Sequence, residues 1–311
     1  MKQYDIVFVG HFATGTIFPF EGEPFVEPGS PVLFASMAAS CLGKKIATVT
    51  KISEHERHLL EPLRAAGIDL FAEPGRIAEY RVVFPTADVD RRQPFLVRGG
   101  DDLTIEDMPD VEPCLVHLCC IAPRESQLEL MRALKKRGFR LSVDMQGFVL
   151  QADERTGSVY PQDVPEKKEI LGMVDFVKLD AMEARTLTGV EALEEQAAIL
   201  QEWGNGETII TSSEGALAHG KGQSVFAPFT NRSTVGRMGR GDTLIGSYLA
   251  RRLDYPLEDS IRFAAALTSI KMEHPGPFRG SLEDVVARME STGKERSRQA
   301  ACGSPAWKSR R

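Results

Sequence analysis

Segment 233–253, STVGRMGRGDTLIGSYLARRL, holds the residues best suited to do chemistry. Three glycines, Gly236, Gly239 and Gly241, precede an amphipathic helical pattern, and Asp242 stands at the junction. A glycine-rich turn that leads into a helix presents unpaired backbone N–H groups to an anion, and the helix dipole adds to the attraction. Asp242 is then either an ordinary carboxylate of a helix start or a base beside an anion hole, as phosphoryl transfer to an alcohol requires. Spacing alone leaves both interpretations open.

Segment 176–189, FVKLDAMEARTLTG, carries a second pair of acidic residues, Asp180 and Glu183. An aspartate followed three residues later by a glutamate is typical of a capping box at a helix start. Carboxylates are also the ligands that Mg²⁺ prefers, often through water molecules. The common nucleotide motif G-x-x-x-x-G-K-[ST] does not occur in the chain, so a phosphate site here must differ from a P-loop.

Short β-rich runs alternate with longer helical runs along most of the chain, which favours βαβ units and a mostly parallel sheet. Several strand candidates are continuous apolar runs, as expected for strands covered on both faces. Strands are predicted at 5–9, 46–50, 115–118, 141–144, 176–179 and 208–211, and helices at 32–42, 125–137, 181–187, 192–203 and 241–253.

Two stretches, 12–28 and 78–98, interrupt this alternation with β-prone residues and turn formers. We expect them to form a small antiparallel sheet outside the main one, placed to act as a lid. Residues 293–311 are polar and basic, so we expect a disordered tail that follows one kinase-sized domain at 1–292.

The bulk composition excludes several partners. The formal net charge is -6, so there is no general basic field to hold nucleic acid or an anionic membrane. No apolar run approaches the roughly 20 residues that a membrane span requires. We therefore expect no nucleic-acid partner, no membrane partner and a cytoplasmic location.

Gly239-Arg240-Gly241-Asp242, followed by an apolar helix, resembles the second signature of the PfkB/ribokinase family, D-T-x-G-A-G-D. The resemblance implies an α/β fold with a ribokinase-like three-layer α/β/α core, a mostly parallel sheet and a small β lid. It implies Asp242 as the catalytic base, and the amides of Gly239, Arg240 and Gly241 as the anion hole. The cofactors that it implies are ATP and Mg²⁺.

The chain departs from that signature at three positions. Gly236 and Arg237 replace the D-T pair, and Arg240 replaces the alanine. Arg240 could clamp the phosphates, or it could point to solvent while only its backbone amide matters. We favour the second arrangement.

Further blocks follow in the family's order. Segment 176–189 resembles K-x-N-x-x-E-x-x-x-L-T-G, and this implies that Glu183 organises the magnesium shell through water, with Asp180 in the place of asparagine. Segment 209–220, IITSSEGALAHG, resembles the strand and turn that contact the nucleotide, and segment 265–278 resembles the helix and loop that flank adenine. The implied cofactor-binding residues are Lys178, Asp180, Glu183, Thr211, Ser213 and Gly215.

The acceptor side of the resemblance is less regular. Family members read G-G-x-x-x-N near a helix start, whereas this chain has Phe34 in the place of the asparagine. Segment 143–148, VDMQGF, resembles the V-D-x-Q-G strand end of myo-inositol kinase-like members, which indicates a polyol. The implied substrate residues are His11, Gly29, Ser30, Phe34 and Gln146.

The resulting functional prediction is an ATP-dependent kinase that phosphorylates a hydroxyl of a small sugar or polyol, inositol-like in type. A nucleoside kinase of the same fold is one alternative, because Phe12 and Phe34 could stack a base. A non-catalytic binding or regulatory protein of the same fold is another, supported by the lost D-T pair and by Arg240. A homodimer formed through the lid is left open.

Overall fold

The computed structural model describes residues 1–88, 91–119, 121 and 124–301. Within these ranges short strands alternate with helices, as the sequence pattern predicts. The strands are β1 Ile6–Gly10, β2 Ala13–Phe18, β3 Phe25–Pro28, β4 Ile46–Ile52, β5 Asp69–Pro74, β6 Ala78–Val83, β7 Gln93–Arg98, β8 Leu115–Cys119, β9 Arg140–Asp144, β10 Leu150–Ala152, β11 Val159–Pro161, β12 Phe176–Asp180, β13 Glu207–Thr211, β14 Gly215–Gly220 and β15 Gln223–Pro228. The α-helices are α1 Pro31–Ser40, α2 Glu61–Ala65, α3 Arg124–Lys136, α4 Gln146–Val149, α5 Lys167–Met173, α6 Ala181–Thr188, α7 Leu193–Glu202, α8 Arg240–Arg252, α9 Leu257–Met272 and α10 Leu282–Ala301.

The main sheet has the strand order β15-β14-β13-β12-β9-β8-β1-β4-β5 among the described residues. Every neighbouring pair from β13 to β5 is parallel, and β14 and β15 add an antiparallel edge. Parallel strands need helical crossovers, which cover both faces of the sheet.

Strand β1 shows how the two faces are filled. Val7 and Val9 belong to the hydrophobic cluster that includes side chains of α3, α5, α6 and α7, whereas Ile6 and Phe8 belong to the cluster that includes side chains of α1, α8 and α9. Since successive strand residues point to opposite faces, this continuous apolar strand belongs to both halves of the core. The predicted three-layer α/β/α architecture is confirmed.

A separate small sheet has the order β3-β2-β6-β7. Its four strands lie within the two segments, 12–28 and 78–98, that the sequence analysis assigned to a lid. The pairing is mixed, because β2 and β6 are parallel while the other two pairs are antiparallel. The prediction of an entirely antiparallel sheet is therefore wrong in this detail: β2 and β6 are far apart in sequence and are not joined as a hairpin.

Helix α10 continues to Ala301, past the position at which the sequence analysis placed the start of a disordered tail. The reason is that Glu, Lys, Arg and Gln, which dominate this stretch, are good helix formers as well as polar. Residues 302–311 of the predicted tail lie outside the described residues. In the part of the chain that the structure describes, no helix is long and apolar enough to cross a membrane.

Candidate active site

A cavity of about 530 Å³ lies between the small sheet and the ends of the parallel strands. Its floor is formed by residues at or just beyond the carboxyl ends of β9, β12 and β13, namely Gln146, Asp180 and Thr211, and by the start of α8. Its opposite wall includes Thr14 and Tyr80 of the small sheet. Ligands of open parallel sheets bind at this edge, where the carboxyl ends of the strands leave a crevice.

The turn before α8 depends on Gly239. This residue has φ +75, in the left-handed region, and a Cβ atom there would lie 2.3 Å from the Phe34 ring. Only glycine satisfies both the backbone angle and the contact. The first helical hydrogen bond runs from the Thr243 N–H to the Gly239 carbonyl, 2.9 Å, so the N–H groups of Gly241 and Asp242 precede the helical ladder and remain able to bind an anion.

The Arg240 amide does not fit the predicted anion hole. Its N–H donates to the Arg237 carbonyl, 3.1 Å, in the turn that leads into α8. The Arg240 side chain, in contrast, lines the cavity and is half-buried, with its guanidinium 5.9 Å from the centre of the Phe229 ring. The side chain therefore faces the cavity rather than bulk solvent, in contrast to the expected arrangement.

The Asp242 carboxyl is surrounded by protein on most sides but remains partly accessible through the cavity that it lines. Burial and the neighbouring charge of Asp144 raise its pKa to about 6, against the opposing effect of Lys178, Arg92 and Lys271. A carboxylate with a pKa near 6 is ionised at neutral pH and still basic enough to accept a proton from an alcohol.

Asp144 and Lys178 form a buried ion pair next to Asp242. The distance between Lys178 Nζ and Asp144 Oδ2 is 2.9 Å, and the side chains are 5% and 0% exposed. Burial alone would lower the pKa of Lys178, but Asp144, Glu183 and Asp242 together raise it, so the ammonium stays charged. A Cβ atom at Gly241 would lie 2.7 Å from Lys178 Nζ, which places this ammonium directly against the anion-binding turn.

Asp180 and Glu183 form the capping box of α6. The Asp180 N–H donates to Glu183 Oε2, 2.8 Å, and the Glu183 N–H donates to Asp180 Oδ1, 2.8 Å. Burial and the charge of Asp180 raise the pKa of Glu183 well above its usual value. Each carboxylate thus uses one oxygen in the cap, and both residues line the cavity.

This donor set fits a magnesium ion held partly through water, because Mg²⁺ takes oxygen ligands and keeps several waters. It does not form a complete protein cage. Among the residues that the structure describes, no group of three or more His, Cys, Asp or Glu side chains is arranged to hold a metal.

Three arginines gather at one end of the cavity: Arg92, from the turn before β7, together with Arg237 and Arg240. Although much of the Arg92 side chain is exposed, its guanidinium lies inside the crevice, where it donates to Met238 Sδ at 4.0 Å. Burial, and then the like charges of Arg237 and Arg240, lower the pKa of Arg92 to about 10. Crowded guanidinium groups beside a helix start are suited to a multiply charged phosphate.

Residues 35–284 match the family model described as pfkB family carbohydrate kinase. The chain belongs to this family. A curated cytidine kinase of Thermococcus kodakarensis is 26% identical over 274 residues, which cover 83% of this chain and 92% of that protein.

Two solved structures are also similar to this pfkB-family kinase. A sulfate complex of a pyrophosphate-dependent kinase in the ribokinase family is 30% identical, with a TM-score of 0.83, covering 91% of this chain and 99% of that chain. A variant that converts a pyrophosphate-dependent myo-inositol-1 kinase into a myo-inositol-3 kinase is 27% identical, with a TM-score of 0.80, covering 92% and 99%. The predicted family, its nearness to myo-inositol kinases and the ribokinase-like fold are confirmed.

The structure brings most of the predicted site residues of this pfkB kinase to one cavity. Of the acceptor residues, Gly29, Phe34 and Gln146 line it. The other residues from the predicted sets that line it are Lys178, Asp180, Glu183, Thr211, Gly239, Arg240, Gly241 and Asp242.

Four predicted residues do not line the cavity. Ser30 is fully buried as the N-cap of α1, where its hydroxyl accepts from the Leu33 N–H. His11 is buried, its Nε2 3.1 Å from the Asp101 carbonyl and its Nδ1 3.4 Å from the Ile121 N–H, so both ring nitrogens serve backbone groups. Ser213 and Gly215 lie at the turn between β13 and β14.

Sequence reasoning did not single out Arg92, Asp144 or Lys271, and named Arg237 only as a departure from the family signature. Asp144 stands within the VDMQGF segment and Lys271 within segment 265–278, so both were inside blocks that had been noticed. Arg92 carries no local signal, because it belongs to a polar turn that reaches the cavity only through the folding of the small sheet.

Proposed function

We propose that this pfkB-family kinase transfers a phosphoryl group from a polyphosphate donor to a hydroxyl of a small polyol. The observation that carries the proposal is Asp242, whose carboxyl lines the cavity beside the anion-binding turn and whose pKa is raised to about 6. A base of this kind next to unpaired helix N–H groups suits the attack of an alcohol on phosphorus.

In the proposed step Asp242 accepts the proton of the acceptor hydroxyl as the new O–P bond forms. The bond between the transferred phosphorus and the bridging oxygen of the donor breaks, and the leaving phosphate keeps that electron pair. Charge that builds on the transferred group is met by the N–H groups of Gly241 and Asp242 and by the Lys178 ammonium. A magnesium ion near Asp180 and Glu183 would neutralise donor charge and orient its oxygens.

We propose inorganic pyrophosphate as the donor. The support is the cluster of Arg92, Arg237 and Arg240, because guanidinium groups bind phosphate oxygens in pairs, and Arg237 and Arg240 stand where the family signature has uncharged residues. The two structural relatives at 27% and 30% identity are pyrophosphate-dependent kinases.

ATP, the donor expected from the sequence, is the second candidate. Thr211 lines the cavity at the end of β13, and Ser213, in the turn that follows, is exposed and could contact a nucleoside. ATP and pyrophosphate share the same terminal phosphate chemistry, so the two are separated by a rate comparison.

For the acceptor we propose an inositol-like polyol. Gln146, Gln151 and Gln162 line the cavity together with Thr14. Amide groups donate and accept hydrogen bonds, as a ring of hydroxyls requires. A nucleoside acceptor is the alternative favoured by one observation: Tyr80 also lines the cavity and could stack a base, and the curated relative is a cytidine kinase.

The deciding experiment incubates the purified protein and Mg²⁺ with each pairing of donor and acceptor. The donors are pyrophosphate and ATP, the acceptors are myo-inositol, ribose, fructose and cytidine, and products are followed by ³¹P NMR and mass spectrometry. We expect an inositol monophosphate and free phosphate, formed faster from pyrophosphate than from ATP. Absence of a phosphorylated product from every pairing would support the non-catalytic alternative, whereas faster turnover with ATP would reverse the choice of donor.

We also propose that a second copy of the chain covers the outer part of the small sheet. Phe25 and Val26, on edge strand β3, are 49% and 67% exposed, and Val97, on the opposite edge strand β7, is 58% exposed. Exposed apolar edge strands favour pairing with another chain. Light scattering should give a dimer mass that Val26→Lys reduces to a monomer, and a monomeric parent protein would refute this arrangement.

A further inference from the structure

Lys271 is a buried lysine at the end of α9, only 2% exposed. Its ammonium donates to the backbone carbonyls of Gly236 and Met238, which belong to the segment leading into the anion-binding turn. Among the described residues it forms no ion pair with a carboxylate. The negative charges of Glu27 and Asp242 act on it, and burial lowers its pKa to about 8 despite them.

An aromatic ring connects this ammonium to the turn. Lys271 Nζ lies 4.6 Å from the centre of the Phe34 ring, within the range of a cation–π contact. The same ring packs against Gly239, where a Cβ atom would come within 2.3 Å of it. The Phe34 ring therefore contacts both the ammonium and the left-handed glycine of the anion-binding turn.

Segment 236–238 also packs against α9, the helix that contains Lys271. The Gly236 N–H donates to the Met272 carbonyl, 2.9 Å, and a Cβ atom at Gly236 would lie 1.9 Å from the His274 carbonyl oxygen. The backbone of 236–238 thus crosses the end of α9 in direct contact. A charged group buried at such a junction is costly, and a methionine of similar length would fill the volume without that cost.

We propose that the Lys271 ammonium is a tethered monovalent cation that holds the carbonyls of Gly236 and Met238 together and so sets the geometry of the anion-binding turn. It acts through the turn and not on the substrate, so it is a positioning residue. Backbone carbonyls can replace the hydration shell of a free monovalent cation. Here the Lys271 ammonium takes the position of that cation. The inference rests on the proposed phosphoryl transfer, and it implies that the enzyme needs no added potassium or sodium.

The test compares Lys271→Met and Lys271→Ala with the parent protein. We expect kcat/KM for pyrophosphate to fall on the order of 10²-fold in both, as for the loss of an oxyanion-hole group. Thermal stability should be kept or increased in Lys271→Met, where the methionine fills the volume. In Lys271→Ala, ammonium, methylammonium or potassium ions should restore part of the rate by occupying the vacated space. The parent protein should show equal rates in potassium-free, sodium-free buffer and in potassium buffer.

Lys167→Met is a matched control. The Lys167 ammonium also donates to a backbone carbonyl, that of Leu187 at 2.8 Å, and lies 5.0 Å from the centre of the Trp203 ring, but outside the cavity. We expect this variant to keep the parent rate and to show no response to added amines.

A second measurement separates this inference from the proposed function. Hydrogen exchange of segment 232–244, followed by mass spectrometry in the ligand-free protein, should be faster in Lys271→Met than in the parent and Lys167→Met proteins. If the parent transfers no phosphoryl group at all, the proposed function fails, but the hydrogen-exchange measurement still decides the role of Lys271. Three outcomes would each overturn the inference. The first is unchanged exchange in the segment, and the second is a rate within about threefold of the parent rate. The third is a loss of rate that accompanies a loss of stability and that no added amine restores.

Discussion

Lys178 Nζ lies 2.9 Å from Asp144 Oδ2 in the protein interior, and the same ammonium lies against Gly241 at the start of α8. Through this contact a residue at the end of β9 influences a turn about 100 residues later in the chain. Asp144 raises the pKa of Asp242, and Lys178 opposes that effect. The pair therefore links the stability of the core to the proton affinity of the proposed base.

We expect Asp144→Asn to destabilise the protein by about 3 kcal/mol, because it leaves a buried ammonium without its partner. Chemical denaturation measures this loss. Asp163→Asn, which breaks the pair between Lys167 and a 56% exposed Asp163, is the matched control and should cost less than about 1 kcal/mol. Equal losses of unfolding free energy in the two variants would mean that the buried pair contributes no more to stability than the exposed one.

Asp242→Asn should lower kcat by about 10²–10⁴, because an amide cannot accept the proton of the acceptor hydroxyl. Donor binding, measured by calorimetry with pyrophosphate, should persist. Asp254→Asn, at a 54% exposed aspartate just beyond α8, is the control and should keep full activity. More than half of the parent kcat in Asp242→Asn would exclude Asp242 as the base.

The pH dependence should show an acidic limb at the pKa of Asp242. Because burial and Asp144 raise this pKa to about 6, the reactive carboxylate is protonated below that pH, and kcat/KM should fall about tenfold per pH unit. In Asp144→Asn the limb should move to lower pH, since a negative neighbour has been removed and Lys178 remains. A limb at the same pH in both proteins would contradict the assignment.

Arg240→Ala should reduce kcat/KM for pyrophosphate by about 100-fold, or 2.7 kcal/mol. The backbone amide of Arg240 is used in the turn, so its side chain is the part that can contact the phosphates. Arg262→Ala, which removes an exposed guanidinium paired with Glu258 on α9, is the control. A change within about threefold would restore the view that only the amide matters.

Glu183→Gln should raise the Mg²⁺ concentration needed for half-maximal rate by about 10-fold to 100-fold. Glutamine preserves the capping box with Asp180, so the fold of α6 should remain. Glu195→Gln, in the first turn of α7, is a comparable change at another helix start and should leave the titration unaltered. The same magnesium dependence in both variants would leave Glu183 with the capping role alone.

Much of the fold could be predicted from local pattern. Continuous apolar runs such as Ile6–Gly10 bury both faces in a parallel sheet, and the bounds of each predicted strand and helix lie within two residues of those of an observed element. The capping box of Asp180 and Glu183 could also be predicted from local spacing, because it is made by residues three apart in sequence. The glycines before Asp242 likewise indicate a turn, because glycine adopts backbone angles that other residues avoid.

By itself the sequence determined the order of elements, the family and the position of the proposed base, since these depend on residues that are neighbours in the chain. Tertiary structure decided what surrounds that base. Arg92 reaches the cavity from the small sheet, Asp144 lies opposite Lys178 on the neighbouring strand, and Lys271 reaches Gly236 and Met238 from α9. Local spacing carries no record of these contacts, because they form only when the helices pack on the sheet and bring distant segments to one crevice.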